Sequence, residues 1–96
     1  MAAKKPENTR SITVRGHELT VDTDYAESYA AFRILRKIND PDVSAFDKLD
    51  MTYELIERAT GLDEAQVVEM AGGETIPAQD VMQFTVDILA AIDAKN

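Results

Sequence analysis

Apolar and polar residues alternate with period two in only one stretch of the chain, ITVRGHELTV at residues 12–21. Such alternation predicts short β-strands, and the Arg15-Gly16 pair between the two apolar runs predicts a tight hairpin turn. A two-stranded hairpin is not stable alone in water, so it must pack against the rest of the chain. Residues 1–10 are polar, contain Pro6 and show no period. We therefore predict a flexible tail at residues 1–10 and a single domain at residues 11–96.

After the hairpin, apolar residues recur at helical spacing. A first helix is predicted from Asp24, with Glu27 as its capping partner, to Asn39, because Pro41 disfavours helix at the preceding residue. One face of this helix carries large apolar side chains, Tyr25, Tyr29, Phe32, Leu35 and Ile38.

Three further helices begin at recognisable signals. The second is predicted from the N-cap Ser44 to residue 60, and the third opens with a capping box formed by Asp63 and Gln66. The last begins at Pro77 and continues almost to the end of the chain. These elements predict a mainly α fold, in which an N-terminal β-hairpin packs on a compact bundle of about four helices.

The last helix is apolar over more of its circumference than packing on one side of a core requires. One stripe comprises Val81, Phe84, Ile88 and Ile92, and a second, beside it, comprises Met82, Val86 and Leu89. In one interpretation the helix is central and touches several neighbours. In the other, one stripe faces a partner, which is another copy of the chain or a helix of a client protein.

The charge of the chain argues against nucleic acid as a partner. The net charge is −8, and residues 38–94 hold thirteen acids against two bases, Lys48 and Arg58. Nucleic acid binding depends on Lys and Arg displacing counterions from phosphates, so an acidic body disfavours it. No apolar run approaches the roughly 18 residues of a membrane helix. The lysines near the start have no signal-peptide core behind them, and we expect a soluble, cytoplasmic protein.

Candidate catalytic and metal-binding residues are scarce. There is no cysteine, and the single histidine, His17, lies beside the hairpin turn. Asp40, Asp42 and Ser44 alternate as in a calcium loop, but Ala45 and Met51 stand where that loop needs Gly and Glu. We expect no enzyme activity, no cofactor and no metal.

The order of the parts resembles the tail assembly chaperones of long-tailed, siphovirus-type bacteriophages. The resemblance rests on ITVRGHELTV, on DTDYAESYAAFRILRKIND directly after it, on the helix start at residues 42–44, and on GLDEAQVVEMAGGETIPAQDVMQFTVDI. It covers about residues 11–93. The Arg15-Gly16 turn departs from the Asn-Gly or Asp-Gly that such hairpins more often carry.

The resemblance implies a non-catalytic protein in the cytoplasm of a bacterial host cell. Its partner would be the tape measure protein, which it would keep soluble during tail assembly, with the tail tube protein as a further partner. Under this hypothesis a client helix lies along Met82, Val86 and Leu89, flanked by Met51 or Tyr53. The same stripe could serve self-association.

Two other functions fit the same residues. An acidic inhibitor or nucleic-acid mimic would occupy a basic site on an enzyme, and its binding would fall steeply with salt. A structural connector would remain in the assembled particle. The acids interleave with apolar stripes instead of forming dense runs, which favours ordinary amphipathic helices over a mimic.

Overall fold

A computed structural model describes residues 8–93 of the protein. Its elements are β1 (Thr9–Val14), β2 (His17–Asp22), α1 (Thr23–Ala26), α2 (Tyr29–Ile38), α3 (Ala45–Thr60), α4 (Glu64–Ala71) and α5 (Ala78–Asp93). The fold is mainly helical with an antiparallel hairpin packed against the helices, as the sequence predicted. The bundle has five helices because the predicted first helix is divided in two.

The hairpin turn has the backbone conformation that the sequence predicted. Arg15 and Gly16 both have positive φ, 50° and 83°, as a two-residue turn of this hand requires. Glycine adopts that conformation without strain, and Arg15 is held there by Asp87 of α5, which accepts a hydrogen bond of 2.8 Å from its Nε. The turn is therefore fixed by a contact across the molecule as well as by its own glycine.

The hairpin begins before the alternating stretch of the sequence. The antiparallel register pairs Thr9 with Asp22 and Arg10 with Val21, so β1 begins two residues before residue 11. Arg10 is tied to the far end of the chain, because its guanidinium donates to the backbone carbonyl of Ile92. Residues 1–7 of the predicted tail lie outside the described residues.

The sequence predicted one continuous helix over residues 24–39, and this prediction is wrong because the segment forms two helices. Asp22 caps α1 by accepting from the backbone N–H of Tyr25, and the chain then turns at residues 27–28. Ser28 has an extended backbone and caps α2 by accepting from the backbone N–H of Ala31. Two N-caps six residues apart interrupt what the apolar spacing suggested was one helix.

The three remaining helices match their predicted signals. Ser44 caps α3, and Gly61 ends that helix in the left-handed conformation. Both hydrogen bonds of the Asp63–Gln66 capping box form at the start of α4. The last helix, α5, begins within one residue of Pro77.

The core lies between the hairpin and α3, α4 and α5. Its fully buried side chains come from every one of these elements, Val21, Ile56, Val67, Phe84 and Ile88. The alternating residues of the hairpin, Ile12, Val14, Leu19 and Val21, point into this core. Packing against helices gives the two-stranded sheet the support it needs, since it has no third strand within residues 8–93.

Candidate interaction surface

The last helix, α5, is covered on three sides and open on the fourth. It packs against α3, α4 and β1, and its inner face buries Phe84, Ile88 and Ile92. On the outer face Met82 is 43% exposed and Val86 is 53% exposed. The helix is therefore central to the core, as the first interpretation holds, and it also presents two apolar side chains to solvent.

The open side of α5 is uncharged over about three turns. Its exposed side chains are Gln79, Met82, Gln83, Val86 and Ala90, and we call this set the α5 stripe. Among the charged residues of the helix, Asp87 is paired with Arg15 at 2.8 Å and also accepts a hydrogen bond from Gln83. Asp80 and Asp93, near the two ends of the stripe, are exposed and form no ion pair within residues 8–93. Because Asp87 is already paired, the middle of the stripe can meet an apolar helix without exposing that helix to this carboxylate as an uncompensated charge.

The other predicted partner-binding residues do not join this stripe. Leu89 is half-buried and packs against the core, beside a cavity of about 20 Å³ that has room for about one water molecule. Met51 is half-buried in a shallow groove between α2 and α3. Tyr53 is 9% exposed and belongs to the core, because the side of α3 that carries it faces the rest of the bundle. The structure thus places Met82 and Val86 together at the surface and separates Met51 and Tyr53 from them.

The exposed side of α2 is a second surface, and sequence analysis did not identify it. Tyr29 is 65% exposed and Phe32 is 54% exposed, and their ring centroids lie 6.0 Å apart. The Arg36 guanidinium lies over the Phe32 ring, 6.0 Å from its centroid. Of the side chains on this helix, only Ala31 is fully buried. The predicted aromatic face is therefore turned largely toward solvent, and small and aliphatic residues meet the bundle.

The same side of α2 carries three basic groups. Within residues 8–93, Arg33, Arg36 and Lys37 form no ion pair. Arg33 and Lys37 also line the groove between α2 and α3, where Arg58 is partly paired with Glu54 at 3.6 Å. We call Tyr29, Phe32, Arg33, Arg36 and Lys37 the α2 face.

A shallow acidic groove runs along α4 and the loop after it. Its lining residues are Glu64, Ala65, Val68, Glu69 and Glu74, and we call this set the α4 groove. Within the described part of the chain, none of the three carboxylates forms an ion pair. The α4 groove thus gathers three unpaired carboxylates, as the α2 face gathers three unpaired cations.

The single histidine packs against the core, and the candidate metal ligands do not cluster in the described part of the chain. Among residues 8–93, no group of three or more His, Cys, Asp or Glu side chains could hold a metal ion. His17 contacts the edge of the Phe84 ring at a centroid distance of 6.0 Å, which makes it part of the packing between β2 and α5. No helix in the described range is long and apolar enough to cross a membrane.

Comparison with protein families, curated proteins and solved structures finds no match to this chain.

Proposed function

We propose that the protein is a non-catalytic assembly chaperone that holds an amphipathic helix of a partner protein along the α5 stripe. The partner class that fits the resemblance stated above is the tape measure protein of a phage or prophage tail. A long helical client of that kind exposes apolar stripes before assembly and needs a soluble protein to cover them. The chaperone would then act in the bacterial cytoplasm.

The observation that carries the proposal is the exposure of Met82 and Val86 on a helix that otherwise forms the centre of the core. Met82 supports a helical client, because an unbranched thioether adapts to varied apolar surfaces. The flanking Gln79 and Gln83 offer hydrogen-bonding groups without net charge. Acidic side chains elsewhere on the surface would keep the complex soluble.

The test begins with a search downstream of this gene for a long helical coding region. Its product is then co-expressed with this chain, and the complex is washed at about 1 M NaCl, where the Debye length is roughly 3 Å. The wild-type chain should keep that protein soluble and remain bound to it. The double variant Met82→Ser, Val86→Ser should lose at least about tenfold in affinity, which corresponds to about 1.4 kcal/mol. Its stability should stay within about 0.5 kcal/mol of wild type, because both positions are exposed.

The matched control is Phe46→Ser, which removes another exposed hydrophobic side chain from the start of α3. This control should bind the client as the wild-type chain does. Undiminished binding by the double variant would exclude the α5 stripe as the binding surface. Binding to any partner that disappears at high salt would instead favour the acidic inhibitor or nucleic-acid mimic.

A further inference from the structure

We propose that the α2 face of one copy of this chain binds the α4 groove of a second copy. The two surfaces are complementary in charge and in number of charges, with three free cations on one and three free carboxylates on the other. This contact uses neither Met82 nor Val86, so it does not depend on the proposed function.

The α2 face supplies donors and flat apolar rings. Arg33 and Arg36 carry planar guanidinium groups that can bind a carboxylate through two parallel hydrogen bonds. Tyr29 and Phe32 lie on the same side of α2 as these cations and present ring surface to solvent, as aromatic side chains at the centre of interfaces do. A cation held beside a ring face loses less hydration on binding than an isolated one, which favours its use in a contact.

The α4 groove supplies the acceptors and an apolar floor. Ala65 and Val68 form the floor, and the carboxylates of Glu64, Glu69 and Glu74 line it. A ring from the α2 face can rest on the small side chain of Ala65, while the neighbouring cations reach the surrounding carboxylates. The groove is therefore suited to a partner that combines aromatic and basic groups, and the α2 face of the same protein is such a surface.

Other occupants of the α2 face fit less well. Single-stranded nucleic acid stacks on aromatic side chains within a basic groove, but a body of net charge −8 repels its phosphates. An anionic membrane is repelled for the same reason. A second copy brings the necessary carboxylates in a groove, so the acidity of the chain favours this contact.

The contact is heterologous, because two different surfaces meet. In each contact, one copy uses its α2 face and the other its α4 groove. The second surface of each copy stays available to a further neighbour, so the assembly grows into rings or open filaments. Five side chains on each partner are far fewer than the roughly 20–30 residues a side of a standard interface, which makes the association weak. It should be visible as a rise in average mass with protein concentration.

The decisive experiment is a charge exchange, followed by sedimentation velocity at an ionic strength of about 0.15 M, where the Debye length is about 8 Å. At this ionic strength the repulsion between the net negative charges of two copies is screened, whereas the ion pairs within the contact are screened much less. One variant carries Arg33→Glu and Arg36→Glu, and the other carries Glu64→Lys and Glu69→Lys. Each alone should sediment as a monomer at concentrations at which the wild-type chain associates. A mixture of the two should associate again, because the intact α2 face of the second variant meets the intact α4 groove of the first. The two reversed surfaces are complementary as well.

A control variant, Glu18→Lys with Glu57→Lys, changes the net charge by the same amount at exposed positions of β2 and α3. It should keep wild-type self-association, which would show that the loss in the α4-reversed variant does not come from the change in net charge alone. Far-UV circular dichroism checks that each variant is folded. Phe32→Ser, which leaves every charge in place, should reduce association at least about threefold, since it removes a central aromatic contact.

Three results would overturn the proposal. The wild-type chain would remain monomeric at about millimolar concentration, the upper end of weak association. The two folded, reversed variants would fail to associate when mixed. Finally, the α2-reversed variant would lose binding to an oligonucleotide or an anionic vesicle while the α4-reversed variant kept wild-type self-association, which would assign the α2 face to a different ligand.

Discussion

At the scale of single residues, burial raises the pKa of two tyrosine side chains, Tyr25 and Tyr53. The Tyr25 hydroxyl is buried without a hydrogen-bond partner among residues 8–93. Burial raises the pKa of Tyr25, although the Arg58 guanidinium, 5.2 Å from the ring centroid, opposes that rise. Burial also raises the pKa of Tyr53, and the nearby Glu64 carboxylate raises it further. Both effects favour the neutral phenol in the folded protein.

These raised pKa values predict a loss of stability at alkaline pH. A phenol whose pKa is higher in the folded than in the unfolded chain favours folding fully below the unfolded pKa of about 10, and this contribution is lost as the pH rises through the folded pKa. Urea unfolding at about pH 8 and pH 11 should therefore show a smaller loss for Tyr53→Phe than for wild type. The control Tyr29→Phe, at an exposed position, should show the wild-type loss. An unchanged loss in Tyr53→Phe would assign the alkaline transition to other groups.

At the scale of elements, the sequence predicts where helices and turns begin and end better than it predicts which side of a helix faces the core. The Asp63–Gln66 box and the Gly16 turn were found where the sequence placed them, because their geometry depends on residues a few positions apart. The break before Ser28 was missed, since Tyr25, Tyr29 and Phe32 are spaced as on one continuous helix. Periodicity identifies an apolar face but does not determine which side of a helix meets its neighbours.

The same limit explains why the sequence predicted one candidate surface and not the other. The exposure of Met82 and Val86 agrees with the second stripe that the sequence identified on the last helix. The α2 face could not be predicted, because its cations are free only in the folded arrangement, where the acidic side chains lie on other elements. Tyr53 was proposed as a flank of the stripe, but only packing determines that its side of α3 faces the core.

The break between α1 and α2 should depend on Ser28. Its Oγ accepts from the backbone N–H of Ala31 and donates to the carbonyl of Tyr25 at 2.6 Å, so it joins the two helices. Ser28→Ala should lower the free energy of unfolding by about 1–2 kcal/mol, the usual range for a lost N-cap. Ser28→Thr keeps a hydroxyl that can accept from Ala31 and donate to Tyr25, so it should cost about 0.5 kcal/mol or less. Urea unfolding measures both, with the exposed strand residue Ser11→Ala as the control.

A different result would show that the break is not set by the cap. If Ser28→Ala gained helical signal and stability, α1 and α2 would form one continuous helix once the competing hydroxyl is removed. The apolar spacing that predicted a helix over residues 24–39 would then describe the intrinsic preference of this segment.

At the scale of the whole molecule, the hairpin and the helices share one core. Val21 is fully buried in the same cluster as Ile56 of α3 and Phe84 of α5. The hairpin is also joined to α5 by Arg15 with Asp87 and by Arg10 with the Ile92 carbonyl, which lie near opposite ends of β1. Separating the hairpin from the helices would expose apolar surface of both. We therefore expect the domain to unfold as a single cooperative unit.

This cooperativity is testable with a substitution confined to the hairpin. Val21→Ala removes two buried methyl groups and leaves a cavity, so it should lower the free energy of unfolding by about 2 kcal/mol. For a domain of this size the midpoint temperature should fall by about 8–16 °C. Far-UV circular dichroism of the helices and near-UV signals of the tyrosines should move together, while Thr20→Ala, exposed on the same strand, should change the midpoint little. Two separate transitions in Val21→Ala would mean that the helices are stable without the hairpin. The hairpin would then be an appendage of the bundle, and its cross-links to α5 would contribute only locally.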